Sequence, residues 1–320
     1  MHSIIVTGGS GFIGRHLVKK LSRENYRVVV IDRLADVNGN AADSPHVKNG
    51  ITYYRADIRD RDVIGRIFAR EKPRSCVHLA ALISVADSVR DPASTIDVNI
   101  NGTANVLHAC SEHRVHNYVF ASTGAAYGEP KQFPIVEEHL LDPLSPYGAS
   151  KVAGEVLAAS YRNCGKISNC TSLRFFNVYG EGQSAAYAGV ITVFADRLSK
   201  GFAPVINGDG LQTRDFVFVE DVANAITLAV EAGNKNGLSG RFNIATGRSV
   251  TINELARTMI RIFGLNLEPV HREALVGDVR YAQVDISAAR KALGYAPQAS
   301  LEEALASMLA PRVQSMAHPA

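Results

Sequence analysis

Residues 3–14, which read SIIVTGGSGFIG, decide the fold of this chain. Residues 4–7 form an apolar, β-branched run that is typical of a strand buried on both faces. After a glycine-rich turn, apolar residues recur at intervals of three and four between Ile13 and Leu21, which indicates a helix. A strand, a tight turn and a helix in this order are the first unit of a doubly wound parallel sheet.

Three glycines, Gly8, Gly11 and Gly14, give this turn a GxxGxxG spacing. Gly8 permits a tight turn after the strand, Gly11 lets the backbone approach a pyrophosphate, and Gly14 lets the helix pack closely on the sheet. The start of the helix, at Phe12 and Ile13, offers free N–H groups to a phosphate. The alternative is a glycine-rich turn without a ligand. The flanking strand and helix, and an acidic residue at the end of the second strand, favour a dinucleotide site.

That acidic residue is Asp32, which follows the β-branched run 27–31 and lies about 20 residues after the glycines. A carboxylate here accepts hydrogen bonds from both ribose hydroxyls and disfavours a 2′-phosphate, so the sequence favours NAD over NADP. Arg33 follows directly and could hold a phosphate, which leaves NADP open. Asp57 and Ile58, after the third predicted strand, are candidates to flank the adenine, although an isolated acid there is more often a surface residue.

Strand-like runs alternate with helical patterns through the first half of the chain. This alternation predicts an α/β fold, a doubly wound parallel (Rossmann) sheet with right-handed crossovers. After about residue 175 the pattern becomes irregular, and glycine and proline separate short strands. We therefore expect an NAD-binding domain in residues 1–175 and a smaller α/β substrate domain in residues 176–320, with some segments crossing back. The predicted strands of the first half are 4–7, 27–31, 51–55, 75–79, 118–121 and 169–174, and the predicted helices of the second half include 221–232 and 252–263.

Composition excludes several classes of protein. The 320 residues are 46% hydrophobic and 20% charged, so the chain can bury a large core and is not disordered. The net charge of +3 gives no reason to expect nucleic acid or a membrane as a partner. Four cysteines without a CxxC motif, a strand almost at the first Met and no apolar run of ~20 residues predict a reduced, cytoplasmic protein. The histidines show no HExxH motif and no clustered acids, so we expect no metal.

A second group of residues indicates proton transfer. Tyr147 and Lys151 are four residues apart and, on a helix, share one face. The ammonium group is expected to lower the pKa of the phenol, and the positive charge of an oxidised nicotinamide would act in the same direction. Tyr147 could then take a proton from a sugar hydroxyl while hydride leaves the same carbon. Thr123, at a strand end, offers a second hydroxyl. The YxxxK motif alone is a weak indicator of such a site. Its position after a dinucleotide-binding turn makes the indication specific.

Ordered motifs of this kind cover nearly the whole chain. They read TGGSGFIG (7–14), HLAA (78–81), VNINGT (98–103), PYGASK (146–151), RFFNVYG (174–180), GDGLQTRDFVFVEDVA (208–223), GDVRYAQVDIS (277–287) and LGYAP (293–297). Together they resemble the extended short-chain dehydrogenase/reductase superfamily, in particular its nucleotide-sugar branch.

The resemblance implies roles for residues that spacing alone does not assign. Two alanines would line the cofactor channel, an asparagine would support the nicotinamide half, and Tyr147 would be the base beside Lys151 on the nicotinamide ribose. Polar and basic residues of the second half would hold the substrate diphosphate. A homodimer is also expected by analogy, through a four-helix bundle to which each copy contributes the predicted helix 97–110 and the helix that starts near Pro146. The implied cofactor residues are Ala80, Ala81, Asn99, Tyr147 and Lys151, and the implied substrate residues are Thr123, Asn177, Arg214, Arg280 and Ala282.

The residues after Thr123, GAAYG, contain no carboxylate. Dehydratases of this branch carry a sequence similar to Thr-Asp-Glu at this position, because elimination of water needs an acid and a base. Related decarboxylases place a glutamate nearby. The resemblance therefore implies a UDP-hexose 4-epimerase, in which C4 is oxidised, the 4-ketose rotates, and hydride returns to the other face while NAD emerges unchanged. Another epimerase or a 4-ketoreductase on the same scaffold, and a non-catalytic dinucleotide sensor, are the alternatives.

Two positions bear on the substrate. Ala282 stands where members restricted to glucose and galactose carry a bulky tyrosine, which implies room for an acetamido group and acceptance of UDP-GlcNAc and UDP-GalNAc, alone or with UDP-Glc and UDP-Gal. Leu275 stands where the family often has an arginine, so Arg280 or Arg272 is expected to contact the diphosphate.

Overall fold

The computed structural model describes residues 2–35, 44–183, 189–274 and 280–317. The strands are β1 (Ser3–Thr7), β2 (Arg27–Ile31), β3 (His46–Lys48), β4 (Ile51–Tyr54), β5 (Ser75–His78), β6 (Asn117–Thr123), β7 (Asn169–Phe175), β8 (Asn177–Tyr179), β9 (Val205–Asn207), β10 (Thr213–Phe218), β11 (Gly240–Ile244), β12 (Ser249–Thr251) and β13 (Val270–Arg272). The α-helices are α1 (Phe12–Arg23), α2 (Arg61–Glu71), α3 (Val85–Arg90), α4 (Pro92–Ile96), α5 (Gly102–Glu112), α6 (Pro146–Asn163), α7 (Val190–Leu198), α8 (Val219–Asn236), α9 (Ile252–Ile262), α10 (Ser287–Leu293) and α11 (Leu301–Ala317).

The largest sheet has eight strands in the order β11-β7-β6-β5-β1-β2-β4-β3. Its pairs are parallel except that between β3 and β4. The strand order reverses direction at β1, which pairs with β2 on one side and β5 on the other. The predicted α/β, doubly wound parallel sheet is therefore confirmed, and the crevice beyond the carboxyl end of β1 is the expected place for a ligand.

Helices cover both faces of this sheet because consecutive strand residues point in opposite directions. Ile4 and Val6 of β1 pack into one apolar cluster with residues of α1 and α8, such as Leu17. Ile5 lies in the cluster on the other face, which includes Phe68 of α2 and residues of α5 and α6. These buried strands explain the continuous apolar runs in the sequence.

A smaller region is built on the three-stranded sheet β12-β10-β8, the pair β13-β9 and helices α7, α9 and α11. Helix α9 begins at a capping box in which Thr251 and Glu254 satisfy each other's backbone N–H groups. Three elements from beyond residue 175 lie with the large sheet: β11 pairs with β7, α8 packs against α1, and α10 packs against β11. The division into residues 1–175 and 176–320 stays a prediction.

Among the described residues, no helix combines the length and the apolar character needed to cross a lipid bilayer. The cytoplasmic location expected from the sequence stays a prediction.

Candidate active site

The glycine-rich turn between β1 and α1 leaves no space for side chains. Gly8 has a φ of +73°, and a Cβ there would lie 2.6 Å from the backbone nitrogen of Ala80. A Cβ at Gly14 would lie 2.2 Å from the carbonyl oxygen of Gly8. Helix α1 begins after Gly11 without a side-chain cap and without an acidic residue in its first turn. Its first N–H groups and its dipole therefore suit an anion such as a pyrophosphate.

This turn forms one wall of a cavity of about 500 Å³ at the reversal of strand order. Asp32 lines the cavity, and its carboxylate accepts hydrogen bonds from the backbone nitrogens of Ser10 (3.0 Å) and Leu34 (2.8 Å). These bonds hold the carboxylate beside the glycine-rich turn. The sequence-predicted residues that line this cavity are Gly8, Gly11, Phe12, Ile13, Gly14, Asp32, Asp57, Ile58, Ala80, Ala81, Tyr147 and Lys151.

Asp57 is paired rather than isolated. Arg59 donates to its carboxylate at 2.8 Å and also to Asp97 at 3.1 Å. The hydrogen bond from Arg59 lowers the pKa of Asp57 below its ordinary value. The carboxylate at this end of the cavity is thus held in its ionised form and in a defined orientation.

Helix α6 places Tyr147 and Lys151 in the cavity wall. Ser145 caps the helix by accepting a hydrogen bond from the backbone nitrogen of Gly148, and Pro146 occupies its first turn. The Lys151 Nζ donates to the carbonyl oxygen of Ala121 at 2.9 Å. Burial lowers the pKa of Lys151 to about 8.

The environment of the Tyr147 phenol differs from the sequence-based expectation. Burial raises the pKa of Tyr147, and a hydrogen bond with the Thr123 side chain lowers it in part. Lys151 was expected to lower this pKa, but its ammonium group is directed to a strand carbonyl instead. Thr123 lies at the end of β6. Among the described residues it does not line the cavity, whereas Tyr147, with which it interacts, does.

Asn99 is buried and holds neighbouring elements together. Its Oδ1 accepts from the backbone nitrogen of Leu82 (2.8 Å), and its Nδ2 donates to the carbonyl oxygen of Leu82 (2.9 Å) and to Ser150 Oγ (3.0 Å). Ser150 precedes Lys151 on α6. Asn99 therefore fixes the loop after β5, which carries Ala80, to helix α6, which carries Lys151. Among the described residues, Asn99 does not line the cavity.

His78 is a buried residue of this region that was not among the predicted site residues. Its Nδ1 lies 2.6 Å from Thr7 Oγ1, and its Nε2 lies 3.0 Å from Thr103 Oγ1. Because the Thr103 hydroxyl donates to the carbonyl oxygen of Asn99, Nε2 carries the proton and Nδ1 accepts from Thr7. Burial, aided by the charge of Lys151, lowers the pKa of His78 to about 3, so it is a neutral link between β1 and α5. The HLAA motif was the only signal of this residue.

A second cavity of about 420 Å³ lies in the smaller region. Asn177 and Arg214 line it together with apolar residues such as Phe194 and Phe216. Gln183 lines both cavities, so the two adjoin.

The remaining two predicted substrate residues lie outside both cavity walls in the described part of the chain. Arg280 makes a two-pronged ion pair with Asp209, with distances of 2.6 and 2.7 Å. Ala282 is buried, and its backbone nitrogen donates to Thr213 Oγ1 at 3.1 Å. Leu275 and the segment 275–279, which includes most of the GDVR motif, lie outside the described residues.

The model of the NAD-dependent epimerase/dehydratase family matches residues 4–245. The chain belongs to this family. It is 38% identical to a UDP-glucose 4-epimerase of Mycolicibacterium smegmatis over 94% of this chain and 96% of that protein. The predicted membership of the nucleotide-sugar epimerase branch is confirmed, and NAD is the cofactor of the family.

Two solved structures share the fold over almost the whole length. The UDP-glucose 4-epimerase of Thermotoga maritima, solved with UDP-glucose, has a TM-score of 0.88 and 37% identity, covering 98% of this chain and 99% of that one. The UDP-N-acetylglucosamine 4-epimerase of Methanobrevibacter ruminantium, solved with UDP-N-acetylmuramic acid, has a TM-score of 0.87 and 30% identity, with the same coverage. This protein is thus an NAD-dependent nucleotide-sugar epimerase of the UDP-glucose 4-epimerase kind.

Proposed function

We propose that this epimerase inverts C4 of a UDP-hexose through a transient 4-keto sugar, with NAD retained in the first cavity and the nucleotide of the substrate in the second. The observation that carries the proposal is the position of Tyr147. It lies in the wall of the NAD-sized cavity, next to Lys151 and near the Thr123 side chain, which lowers its pKa, and that cavity adjoins a second one through Gln183.

The first cavity fits NAD in shape and charge. The uncapped start of α1 and the side-chain-free surface of the glycine turn suit the pyrophosphate, at Gly8, Gly11 and Gly14. The carboxylate of Asp32, held by two backbone N–H groups, suits the two hydroxyls of the adenosine ribose. Asp57 and Ile58 would flank the adenine, and Ala80, Ala81 and Lys151 would line the nicotinamide half. NAD supplies, when bound, a reversible hydride acceptor for the sugar carbon.

The protein's own residues manage the proton. Tyr147 takes the proton of the 4-hydroxyl when the carbon is oxidised and returns it when the ketone is reduced. Its raised pKa holds the proton on the phenol in the free protein, so the base form needs a positive charge nearby when the complex is assembled. The Thr123 hydrogen bond, which lowers this pKa, stabilises the same ionised form.

The second cavity has the chemistry of a nucleotide site. Arg214 offers a guanidinium group for phosphate, and Asn177 offers an amide that already donates to the carbonyl oxygen of Asp215 at 3.1 Å. Apolar walls around them suit a base and a ribose. Arg280 lies outside the wall of this cavity in the described part of the chain, so a contact with the diphosphate would require it to leave its ion pair with the exposed carboxylate of Asp209.

The sugar is the finer part of the proposal. The small side chain at Ala282 favours a substrate with a bulky group at C2, so we expect turnover of UDP-GlcNAc and UDP-GalNAc as well as of UDP-Glc and UDP-Gal. The test is incubation of the purified protein with each UDP-sugar and with the corresponding uronic acids, without added cofactor, followed by separation of the products. Conversion of a hexose pair without added NAD supports a 4-epimerase. A requirement for stoichiometric reduced cofactor would instead indicate a reductase, and absence of any turnover with retained dinucleotide would indicate a sensor.

We also propose that the chain forms a homodimer through helices α3, α4 and α6, which pack against one another. They carry exposed apolar side chains: Val89 is 64% exposed, Ile96 47% and Val156 53%. Burying such a patch against a second copy removes it from water. Val156→Asp is expected to yield a monomer in sedimentation experiments, and Val193→Asp, which adds the same charge at an exposed apolar position of α7, is expected to leave the dimer intact. A wild-type monomer would overturn the proposal.

A further inference from the structure

Three consecutive residues at the end of β6 each interact with the same helix, and two of them are hydrogen-bonded to it. The carbonyl oxygen of Ala121 accepts from Lys151, and the side chain of Thr123 lies close enough to the Tyr147 phenol to lower its pKa. Between them, the hydroxyl of Ser122 donates to Glu155 Oε1 at 2.5 Å. Tyr147, Lys151 and Glu155 follow one another at intervals of four on α6 and therefore share one helix face. The proposed chemistry uses the first two of these helix residues and gives no role to the third.

Glu155 is buried in an ion pair with Arg174, and each is only 1% exposed. The guanidinium group donates to both carboxylate oxygens, from Nε at 2.9 Å and from Nη2 at 2.7 Å. Arg241 reaches the same carboxylate at 3.2 Å from the surface side. Burying an ion pair is costly, and apolar residues of similar volume often serve stability as well or better. The planar, two-pronged pair of Glu155 and Arg174 holds its neighbours in a fixed geometry, which apolar packing would not do.

Arg174 also fixes the segment that follows Thr123. Its Nη1 donates to Tyr127 Oη at 2.8 Å, and the guanidinium carbon lies 4.8 Å from the centre of the Tyr127 ring. Tyr127 ends the short 3₁₀ turn Gly124–Tyr127, which Thr123 caps by accepting a hydrogen bond from the backbone nitrogen of Ala125. Thr123 is therefore held on both sides: the residue before it is bonded to Glu155, and the turn after it is bonded to Arg174.

We propose that Glu155 and Arg174 are positioning residues for the reaction, acting through Thr123. They hold the Thr123 hydroxyl against the Tyr147 phenol and touch neither substrate nor cofactor. Without them, the fold persists but the threonine is no longer aligned to stabilise the ionised tyrosine. This inference rests on the proposed function, since it assigns the network to the proton transfer at Tyr147.

A double-mutant cycle in Glu155→Gln and Thr123→Ala tests this inference. Loss of alignment is expected to lower kcat of Glu155→Gln by ~10- to 100-fold with KM within about twofold of the wild type. If Glu155 acts through Thr123, the same substitution in the Thr123→Ala protein lowers kcat by less than about twofold, although it lowers the melting temperature equally in both. Losses in kcat that multiply would show that Glu155 acts independently of Thr123 and would overturn the proposal.

A matched control separates positioning from stability. Glu71 is a second buried glutamate, 4% exposed, which accepts from Tyr54 Oη at 2.5 Å and pairs with Arg27 at the far end of α2. Glu71→Gln is expected to lower the melting temperature and leave kcat unchanged. Equal kcat values for the variants of Glu71 and Glu155 would mean that Glu155 is structural only, which contradicts the proposal.

A second variant and a second readout do not depend on turnover. Ser122→Ala keeps the ion pair and removes only the hydrogen bond from strand to Glu155. The titration of Tyr147 is isolated as the ultraviolet difference between each protein and its Tyr147→Phe counterpart. Because the Thr123 hydrogen bond lowers this pKa, Ser122→Ala is expected to titrate at higher pH, towards the value of Thr123→Ala. An unchanged titration overturns the positioning role. If the wild type converts no UDP-hexose, the proposed function fails while this titration still decides the present inference.

Discussion

The ammonium group of Lys151 is bonded to the carbonyl oxygen of Ala121, 2.9 Å away, in the last part of strand β6. Its Nζ lies 5.0 Å from the centre of the Phe120 ring. Both contacts hold the charge at the floor of the cavity and tie α6 to the sheet. The lysine is thus a fixed cation near the cofactor site, and the pKa of Tyr147, one helical turn earlier, is lowered by the Thr123 side chain and not by this ammonium group.

Tyr147→Phe tests the proton transfer. The substitution keeps the ring in the cavity wall and removes the oxygen that exchanges the proton. We expect a loss of a hundredfold or more in kcat, in line with the ~10²–10⁴ that general acid–base catalysis contributes. The measurement is the rate of C4 epimerisation, with the amount of NAD that copurifies as the control for an intact cofactor site. A rate near that of the wild type would remove Tyr147 from its proposed role.

Lys151→Met tests the burial of the lysine through the pH dependence of stability. The pKa of Lys151 is about 8 in the folded protein, against 10.5 in the unfolded chain. Below pH 8 the folded protein must therefore carry a poorly solvated charge, and this penalty disappears as pH rises towards 10.5. We expect Lys151→Met to be more stable than the wild type at pH 7 by roughly 1–3 kcal/mol and the difference to shrink between pH 8 and 10.5.

Denaturant unfolding at several pH values measures this difference. Lys20→Met is the matched control, because the Lys20 side chain is partly exposed on α1, where it forms an ion pair with Glu24. It is expected to change the free energy of unfolding little and without this pH dependence. A Lys151→Met protein that is less stable than the wild type at every pH would show that the bond to Ala121 outweighs the cost of burying the charge.

Local sequence patterns predicted those parts of the fold that local interactions determine. The strand runs in the first half were placed correctly to within a residue or two, because strands buried on both faces are apolar throughout. The sequence could not indicate that β11 joins the large sheet beside β7, since strand pairing at that distance along the chain leaves no local signal. Nor could the sequence indicate that Glu137 accepts a hydrogen bond from the backbone nitrogen of Asn243 at 2.7 Å, since the two residues lie far apart along the chain.

For the site, the motif residues of the cofactor cavity could be predicted because the chemistry of a pyrophosphate requires glycines and an acid at fixed spacing. The partners of those residues could not. Lys151 faces a strand carbonyl, and Glu155 bonds Ser122, only because β6 and α6 pack side by side. Asn99 was expected to support the nicotinamide, whereas its visible bonds join Leu82 and Ser150. Its cofactor role stays a prediction.

Gly14→Ala tests the cofactor turn by geometry alone. A Cβ at Gly14 would lie 2.2 Å from the carbonyl oxygen of Gly8, so the turn and α1 must separate. We expect the protein to lose copurifying NAD and to melt at a lower temperature. Gly65→Ala is the matched control: Gly65 lies within α2, and a Cβ there meets nothing within 4 Å. It is expected to keep NAD and to gain up to about 1 kcal/mol of stability from helix propensity. NAD retention by Gly14→Ala would place the pyrophosphate elsewhere.

Ala282→Tyr tests the choice of sugar. Ala282 is buried, and its backbone nitrogen and carbonyl oxygen are bonded to Thr213 Oγ1 at 3.1 Å and Ser249 Oγ at 2.5 Å, so the backbone cannot easily move to accommodate a larger side chain. If the side chain at position 282 faces the C2 substituent, the phenol of the introduced tyrosine fills the space of an acetamido group. We then expect kcat/KM for UDP-GlcNAc to fall by at least tenfold more than kcat/KM for UDP-Glc. This ratio corresponds to a difference of about 1.4 kcal/mol in transition-state binding. Tyr281→Ala changes a neighbouring side chain that is 53% exposed and packs against Phe133, and it is expected to leave the ratio of the two substrates unchanged. Equal losses for both substrates in Ala282→Tyr would mean that position 282 supports the fold and does not select the sugar.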